Sequence, residues 1–415
     1  MCRQARDKEL LTYKKQYRLA DFFGQWWDAY TKNPKELITP EQYKAVNAIR
    51  VCRTAALGVD IYACPDCGEL TQVYHSCKNR FCPTCSWQDT VKWADKLKSQ
   101  MMDIPHRHVV MTLPHQLNQL IKDNDKHLLN ILMRVTADTF KDWIGHKFNI
   151  KPGIISVLHT YGETKNYHPH VHMIISWGGI HQKTGGLKPI KEDFVNYKFL
   201  QHKFRCKFED ELIMMHDNNE LKHDFSTRED FLRFIKKINK TGWVLHLEPP
   251  MDIPAQVVRY IGRYSKRACL SEYKITKIEG EKISFRYKDY KTLDENKKPI
   301  EKELELHYSD FFPRLLQHVP LKYFRLVRYY GMYANRARIP EEYLSKPDDQ
   351  DVPQEQIKEK ETEISPGNEN QYVCTHCKKK KIYQHTLFRN RISGYENIYR
   401  RELLKQIPEH EKNAA

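Results

Sequence analysis

The sequence predicts an α+β fold, on three observations. Runs such as HRHVVMTLP, GIISVLHTYGE and HVHMIISW have strand length and strand composition and are bounded by turns. Longer stretches with helical patterning, residues 123 to 148 and 191 to 216, lie between these runs. A cysteine-rich interval from Cys64 to Cys85 precedes the first strand and separates it from a helical N-terminal region. A chain of 415 residues can bury a large core and divides into two or three domains.

Each element has a local reason. Residues 1 to about 60 read as helical: Thr39 is a cap, Pro40 suits a first turn and Gly58 a stop, which predicts TPEQYKAVNAIRVCRTAALG as one element. SWQDTVKWADKLKSQMMD continues the cysteine module as a helix, and the three strand runs begin at His106. Residues 226 to 241 read as a helix, GWVLHLEPP as a strand, and AQVVRYIGRYSKRACL as a helix opened by Pro254. ISFRYKDY is a further strand, and SDFFPRLLQHV a further helix. The polar, acidic stretch 345–371 is expected to be a disordered linker to a small basic tail, 372–415, that carries its own CxxC. The expected domains are therefore 1–100, with the cysteine module, and 101–340, followed by linker and tail. No internal repeat is visible beyond the recurring CxxC.

Composition narrows the function. Lys and Arg number 69 against 53 Asp and Glu, a net charge of +16, and 12% of residues are aromatic. Such an excess points to a polyanionic partner, most often nucleic acid. No apolar run reaches the roughly 18 to 20 residues of a membrane span, and the charged N-terminus has no signal-peptide core, so the expected location is the bacterial cytoplasm, with the nucleoid. The 11 cysteines are odd in number and partly set in CxxC pairs, which reads as thiols and metal ligands rather than disulfides.

Two of those pairs, Cys64-x2-Cys67 and Cys82-x2-Cys85, are separated by fourteen residues, a spacing that suits one structural Zn²⁺ with four thiolate ligands. Four thiolates leave no open coordination position, so this ion has a folding role. Cys77 and His75 lie between the knuckles as alternates, and Lys78, Arg80 and Lys92 suit phosphate contacts. Cys374-x2-Cys377 in the tail is half a site, which His385 could assist.

The stretch HPHVHMII sets His168, His170 and His172 at alternate positions of a strand, on one face, with Val171 and Met173 turned to the other. Neutral imidazoles so placed can anchor a divalent ion. A third ligand is needed from nearby, and His168 and Glu163 are both candidates. In QVVRYIGRYSKR, Tyr260 and Tyr264 are one helical turn apart, among Arg259, Arg263, Lys266 and Arg267. By itself that is an ordinary amphipathic helix. Beside a metal-binding strand, the phenols become nucleophiles for a DNA phosphodiester.

Taken in order, CRTAALG, CPDC, SCKNRFCPTC, HVVMTLPH, HPHVHMII, VVRYIGRYSKR and HVPLKYFRLVRYYG resemble the two-tyrosine HUH transposases of bacterial insertion sequences, which move by a rolling-circle route and carry an N-terminal zinc-binding domain. The resemblance runs from about residue 45 to about residue 340. It implies a central antiparallel sheet flanked by helices. It further implies His170 and His172 as ligands of Mg²⁺ or Mn²⁺, with His168 matching the family's first histidine, and Tyr260 and Tyr264 as nucleophiles. The implied substrates are single-stranded ends of its own element and target DNA, and the arrangement leaves room for a homo-oligomer. Gly262 between the tyrosines agrees with the family pattern. Arg325, Arg328, Arg336 and Arg338, interleaved with Tyr329, Tyr330 and Tyr333, suit a single strand of DNA or a packed helix with solvated arginines. Competing readings are a rolling-circle replication initiator or relaxase with the same chemistry, and a zinc-dependent DNA-binding protein without catalysis.

Overall fold

A computed structural model describes residues 17–192, 195–240, 242–251, 268–345, 372–390 and 394–397. The expected tyrosine helix, with Arg259, Tyr260, Arg263, Tyr264, Lys266 and Arg267, and most of the expected linker lie outside the described residues.

The chain opens with α1 (Leu19–Lys32) and α2 (Pro40–Arg50). Thr39 and Gln42 form a reciprocal capping box at the start of α2, with Oγ1 of Thr39 accepting from the Gln42 backbone at 3.2 Å. The helix ends at Arg50 instead of running on to Gly58. Arg53 takes a left-handed conformation, φ 57°, and turns the chain towards the cysteines. The strands β1 (Val59–Ala63) and β2 (Leu70–Tyr74) form a hairpin, and α3 (Pro83–Lys98) leads out of the module.

The central unit then follows in chain order: β3 (His106–Thr112), α4 (Asp125–Phe148), β4 (Ile150–Lys151), β5 (Gly153–Tyr161), β6 (Tyr167–Ser176), β7 (Gly178–His181), β8 (Leu187–Pro189), α5 (Tyr197–Asp217), α6 (Arg228–Ile238) and β9 (Val244–Leu247). Next come a meander, β10 (Ile275–Glu279), β11 (Lys282–Leu293) and β12 (Pro299–His307), then α7 (Tyr308–Leu316) and β13 (Val327–Gly331). The tail contributes β14 (Ile382–Asn390) and β15 (Gly394–Asn397). The principal sheet has the order β13-β5-β6-β3-β9, and every neighbouring pair is antiparallel. The α+β expectation and its central antiparallel sheet are met.

The period of two divides this sheet between two tasks. Val171, Met173 and Ile175 of β6, with Val109 and Met111 of β3, join the large core that α4, α5 and α6 cover. On the opposite face, Ile174 and Ile155 pack with Leu97 and Met101 at the end of α3, so the cysteine module lies against the sheet. His170 and His172 share that second face. A separate core joins α1, α2, the meander and α7, with Phe22 edge-on to Phe311 at 5.5 Å.

Of the two readings of residues 318–338, the packed helix is not met: residues 327–331 form the edge strand β13, paired with β5 from Val327↔Val157 to Gly331↔Gly153. The tyrosines of β13 and Tyr333 just after it tie this edge to its surroundings. Trp93 donates to the Tyr329 hydroxyl at 2.7 Å, Tyr330 donates to the Met133 carbonyl at 3.1 Å, and the Tyr333 hydroxyl lies 2.6 Å from Nε2 of His106. β-branched and aromatic residues fit a half-buried pleated edge.

Candidate metal centres and nuclease site

Register brings the histidines together. His159 on β5 pairs directly with His170 on β6, and Val157 with His172, so His159 stands beside both on the same face. One ring nitrogen each from His159, His170 and His172 lies within 4.8 Å of the others. Three nitrogens converging from two neighbouring strands suit a divalent ion and leave other positions open. Burial pushes His170 down to about 4 and His172 well below its usual value, so both rings stay neutral at physiological pH, the form that ligates a metal.

Hydrogen bonds fix which nitrogens face inward. Nδ1 of His170 donates to the His168 carbonyl at 2.8 Å, leaving Nε2 as the lone-pair donor. Nδ1 of His172 lies 2.9 Å from Nε2 of His108, whose Nδ1 is 3.3 Å from the Glu248 carboxylate. With the carboxylate drawing the His108 proton to Nδ1, Nε2 of His108 accepts from His172 and frees Nε2 of His172. This is the outer support expected of a histidine metal ligand.

Neither candidate for a third ligand, His168 or Glu163, joins the cluster, whereas His159 does. His168 contributes its backbone carbonyl and no ring nitrogen to the cluster. Glu163 lies beyond a register shift at His159/Tyr161, in the turn to β6, where its Oε2 accepts from Nζ of Lys274 at 3.0 Å and from the Lys288 backbone at 3.2 Å. Burial alone would raise its pKa, but the ammoniums of Lys274 and Lys165 hold it below the usual carboxylate range. His159 escaped notice because a lone histidine in GIISVLHTY has no alternating partner. His108, in HRHVV, had one in His106, and Glu248 had no local signal at all.

The single four-cysteine zinc site is also corrected. Cys64, Cys67, Cys82 and Cys85 divide between two clusters, one of Cys52, Cys77, Cys82 and Cys85 and the other of Cys64, Cys67, Cys374 and Cys377. The hairpin explains the split: β1 and β2 carry the first knuckle away from the second. In the first cluster the sulfurs of Cys52 and Cys85 are 3.6 Å apart, those of Cys77 and Cys85 3.7 Å, and those of Cys82 and Cys52 3.7 Å. A tetrahedral zinc thiolate site with bonds of about 2.3 Å has sulfur–sulfur edges of about 3.8 Å, so these thiols fit the ion, and they are too far apart for disulfides. Hydrogen bonds from Cys77 and Cys82 bring the Cys52 thiol down to about 7, and the hydrogen bonds within the set hold Cys85 far below and Cys82 far above the usual range. Cys77 thus belongs to this set. His75 does not, because its ring lies 2.9 Å from Asp60 Oδ1 and 3.1 Å from the Leu57 carbonyl. His385 lies outside both clusters.

Beside the histidines, a cavity of about 330 Å³ is bordered by Arg80, Trp93, His159, Tyr161, Arg325 and Tyr329. Arg325 is exposed, whereas Arg328 is held by the Asn130 side chain, with its guanidinium 5.0 Å from the Phe324 ring. Arg80 donates to the Phe324 carbonyl at 3.2 Å, which fastens the cysteine module to the chain entering β13.

With this geometry in view, comparison with known proteins is decisive. Residues 153–340 match the family described as "Putative transposase", and residues 22–113 match the transposase zinc-binding domain. A protein named "Putative transposase y4qJ" from Sinorhizobium fredii (strain NBRC 101917 / NGR234) is 30% identical over 328 residues, 77% of this chain and 81% of its own length. This chain belongs to the insertion-sequence transposases. The transposase for insertion sequence element IS801 from Pseudomonas savastanoi pv. phaseolicola is 29% identical over 342 residues, 77% of this transposase and 80% of its own length. No solved structure matches. The transposase has a zinc-binding domain, whose match covers Cys52, Cys77, Cys82 and Cys85 together, and the geometry of these thiols suits a structural Zn²⁺. DNA is its partner, and cutting and transferring DNA is its work. No helix among the described residues is long and apolar enough to cross a membrane.

Proposed function

We propose that this transposase cuts and rejoins single-stranded DNA at the ends of its element through covalent phosphotyrosine links, by a rolling-circle route. The observation that carries this reading is the convergence of three imidazoles, His159, His170 and His172, on one face of the central sheet. They would hold Mg²⁺ or Mn²⁺, which when bound supplies Lewis-acid polarisation of the scissile phosphate. His108 and Glu248 orient His172, and the His168 carbonyl orients His170.

Tyr260 and Tyr264 are the proposed nucleophiles. The phenol oxygen of one attacks phosphorus, the bond to the 3′ oxygen breaks, and the departing oxygen takes a proton to become a 3′-hydroxyl. The 5′ phosphate remains on tyrosine, so the energy of the broken link is kept for the reverse attack by another 3′-hydroxyl. Two tyrosines allow two such strands to be held during one transfer. Arg259, Arg263, Lys266, Arg267 and Arg325 are proposed phosphate contacts, with Arg328 shaping the wall behind Arg325. Residues 1–100 would act as the zinc-dependent DNA-recognition domain and residues 101–340 as the nuclease domain.

The test is incubation of the purified transposase and Mn²⁺ with an oligonucleotide carrying the element's end. A covalent protein–DNA adduct is expected, and Tyr260→Phe with Tyr264→Phe should abolish it while DNA binding persists. Adducts that survive in the double variant would identify other nucleophiles and sink the assignment.

A further inference from the structure

The second cysteine cluster draws half of its members from outside both matched regions, because Cys374 and Cys377 lie beyond residues 22–113 and 153–340. Its four sulfurs lie within 4.8 Å of one another, and those of Cys67 and Cys374 are 3.4 Å apart. That spacing is too long for a disulfide and close to the edge of about 3.8 Å in a tetrahedral zinc thiolate site.

The two halves are built alike. The Gly68 N–H donates to the Cys64 carbonyl at 3.0 Å, and the Lys378 N–H donates to the Cys374 carbonyl at 3.1 Å. The Cys64 N–H donates to the Glu69 carbonyl at 2.9 Å, and the Cys374 N–H to the Lys379 carbonyl at 2.8 Å. The residue after the second cysteine is left-handed in each, with φ +71° at Gly68 and +59° at Lys378. Glycine takes that conformation freely, whereas lysine does so at a cost of roughly 1 kcal/mol or more. A strained lysine at the position of Gly68 marks a turn imposed by its surroundings. The backbone N–H of Cys377 also points at the Cys374 sulfur, at 3.3 Å. Two knuckles that repeat one another bond for bond, and that face each other through their sulfurs, form the two halves of a zinc ribbon.

We propose that Cys64, Cys67, Cys374 and Cys377 hold a second Zn²⁺, a split site whose tail half clasps residues 372–390 onto the N-terminal cysteine module. The contacts around it already join the same two segments. Lys379 pairs with Asp66 at 2.6 Å, Glu69 accepts from the Thr375 backbone at 3.0 Å and from its hydroxyl at 2.8 Å, and β14 pairs with β1 from Ala63↔Ile382 to Val59↔Leu387. Loading the ion displaces the thiol protons to solvent, including the one Cys374 now shares with Glu69 at 2.8 Å. Glu69 retains Thr375 and, at 3.3 Å, Lys381. The site is independent of the proposed strand chemistry.

The test is metal analysis of the full-length protein after dialysis against EDTA, which strips a weakly held histidine-bound ion. Two zinc ions per chain are expected, falling to one in the Cys374→Ser, Cys377→Ser double variant. A wild-type protein with one zinc, or a double variant that keeps the full complement, overturns the proposal. Should the variant fail to fold, alkylation of the wild-type protein decides. Cys64, Cys67, Cys374 and Cys377 should be protected as a group, while the half-exposed Cys206, outside both clusters, reacts freely. Modification of Cys374 and Cys377 at the rate of Cys206, with Cys64 and Cys67 still protected, refutes the clasp.

Discussion

Replacing His159 separates the ligand set drawn from the structure from the one drawn from the sequence. In His159→Ala the cluster falls from three ring nitrogens to two, while the Nδ1 hydrogen bonds that orient His170 and His172 remain. Loss of an outer-shell partner of a metal ligand typically costs 10- to 100-fold in affinity, and loss of the ligand itself should exceed that. Mn²⁺ affinity should therefore fall by more than about 100-fold, or about 2.8 kcal/mol at roughly 1.4 kcal/mol per tenfold. The ring is buried, so stability should also fall by about 2 kcal/mol. Two controls are built into the same fold. His168→Ala keeps the carbonyl that orients His170, and Glu163→Ala removes a partner of Lys274 and the Lys288 backbone, so both should bind Mn²⁺ within about threefold of wild type. The assay is titration of Mn²⁺ followed by the electron paramagnetic resonance of the free ion, with unfolding curves recorded in parallel. A His159→Ala protein that binds Mn²⁺ like wild type, or a Glu163→Ala protein that loses it, refutes the reasoning.

Two further outcomes concern stability. Burial raises Glu209 from 4.5 to about 7, so its ionised form opposes folding: the penalty is absent below the unfolded value, grows as pH rises through about 7, and reaches about 3 kcal/mol above it. Glu209→Gln should therefore stabilise the protein at pH 8 and leave it unchanged at pH 4, and equal urea midpoints for the two proteins at pH 8 would refute this. Tyr333→Phe removes the hydroxyl shared by His106 and the Met102 N–H, which should lower stability by about 1 to 3 kcal/mol in thermal unfolding while leaving single-stranded DNA affinity intact. A large loss of DNA affinity with unchanged stability would return Tyr333 to the base-stacking role suggested by its sequence.

What the sequence made legible was local. The capping box at Thr39, the strand runs of β3, β5 and β6, and the turning of Val171 and Met173 away from His170 and His172 all follow from residues a few positions apart. Pairings across the chain stayed hidden. His159 becomes a partner of His170 only through the β5–β6 register, and Cys52 joins Cys77, Cys82 and Cys85 only because α2 stops at Arg50. CxxC spacing identified the knuckles correctly but paired them wrongly, since spacing carries no information about which halves a hairpin brings together. For β13 the sequence left a DNA-contacting stretch and a packed helix both open, and pairing with β5 makes it a strand.

The neighbours of β1 give the synthesis of this protein an order in time. β1 lies between β2 and β14, and Cys67 is 307 residues from the Cys374 it meets. At roughly 5 to 20 residues per second, a ribosome leaves one side of β1 uncovered for about 15 to 60 s after the N-terminal module has emerged. Throughout that interval the nascent chain presents an open strand edge and two unmatched thiols, the features most prone to pairing with a neighbouring chain. A message cut short before codon 374 would release a protein that never closes that edge, so shortened copies should be cleared or aggregate instead of competing with intact ones for DNA.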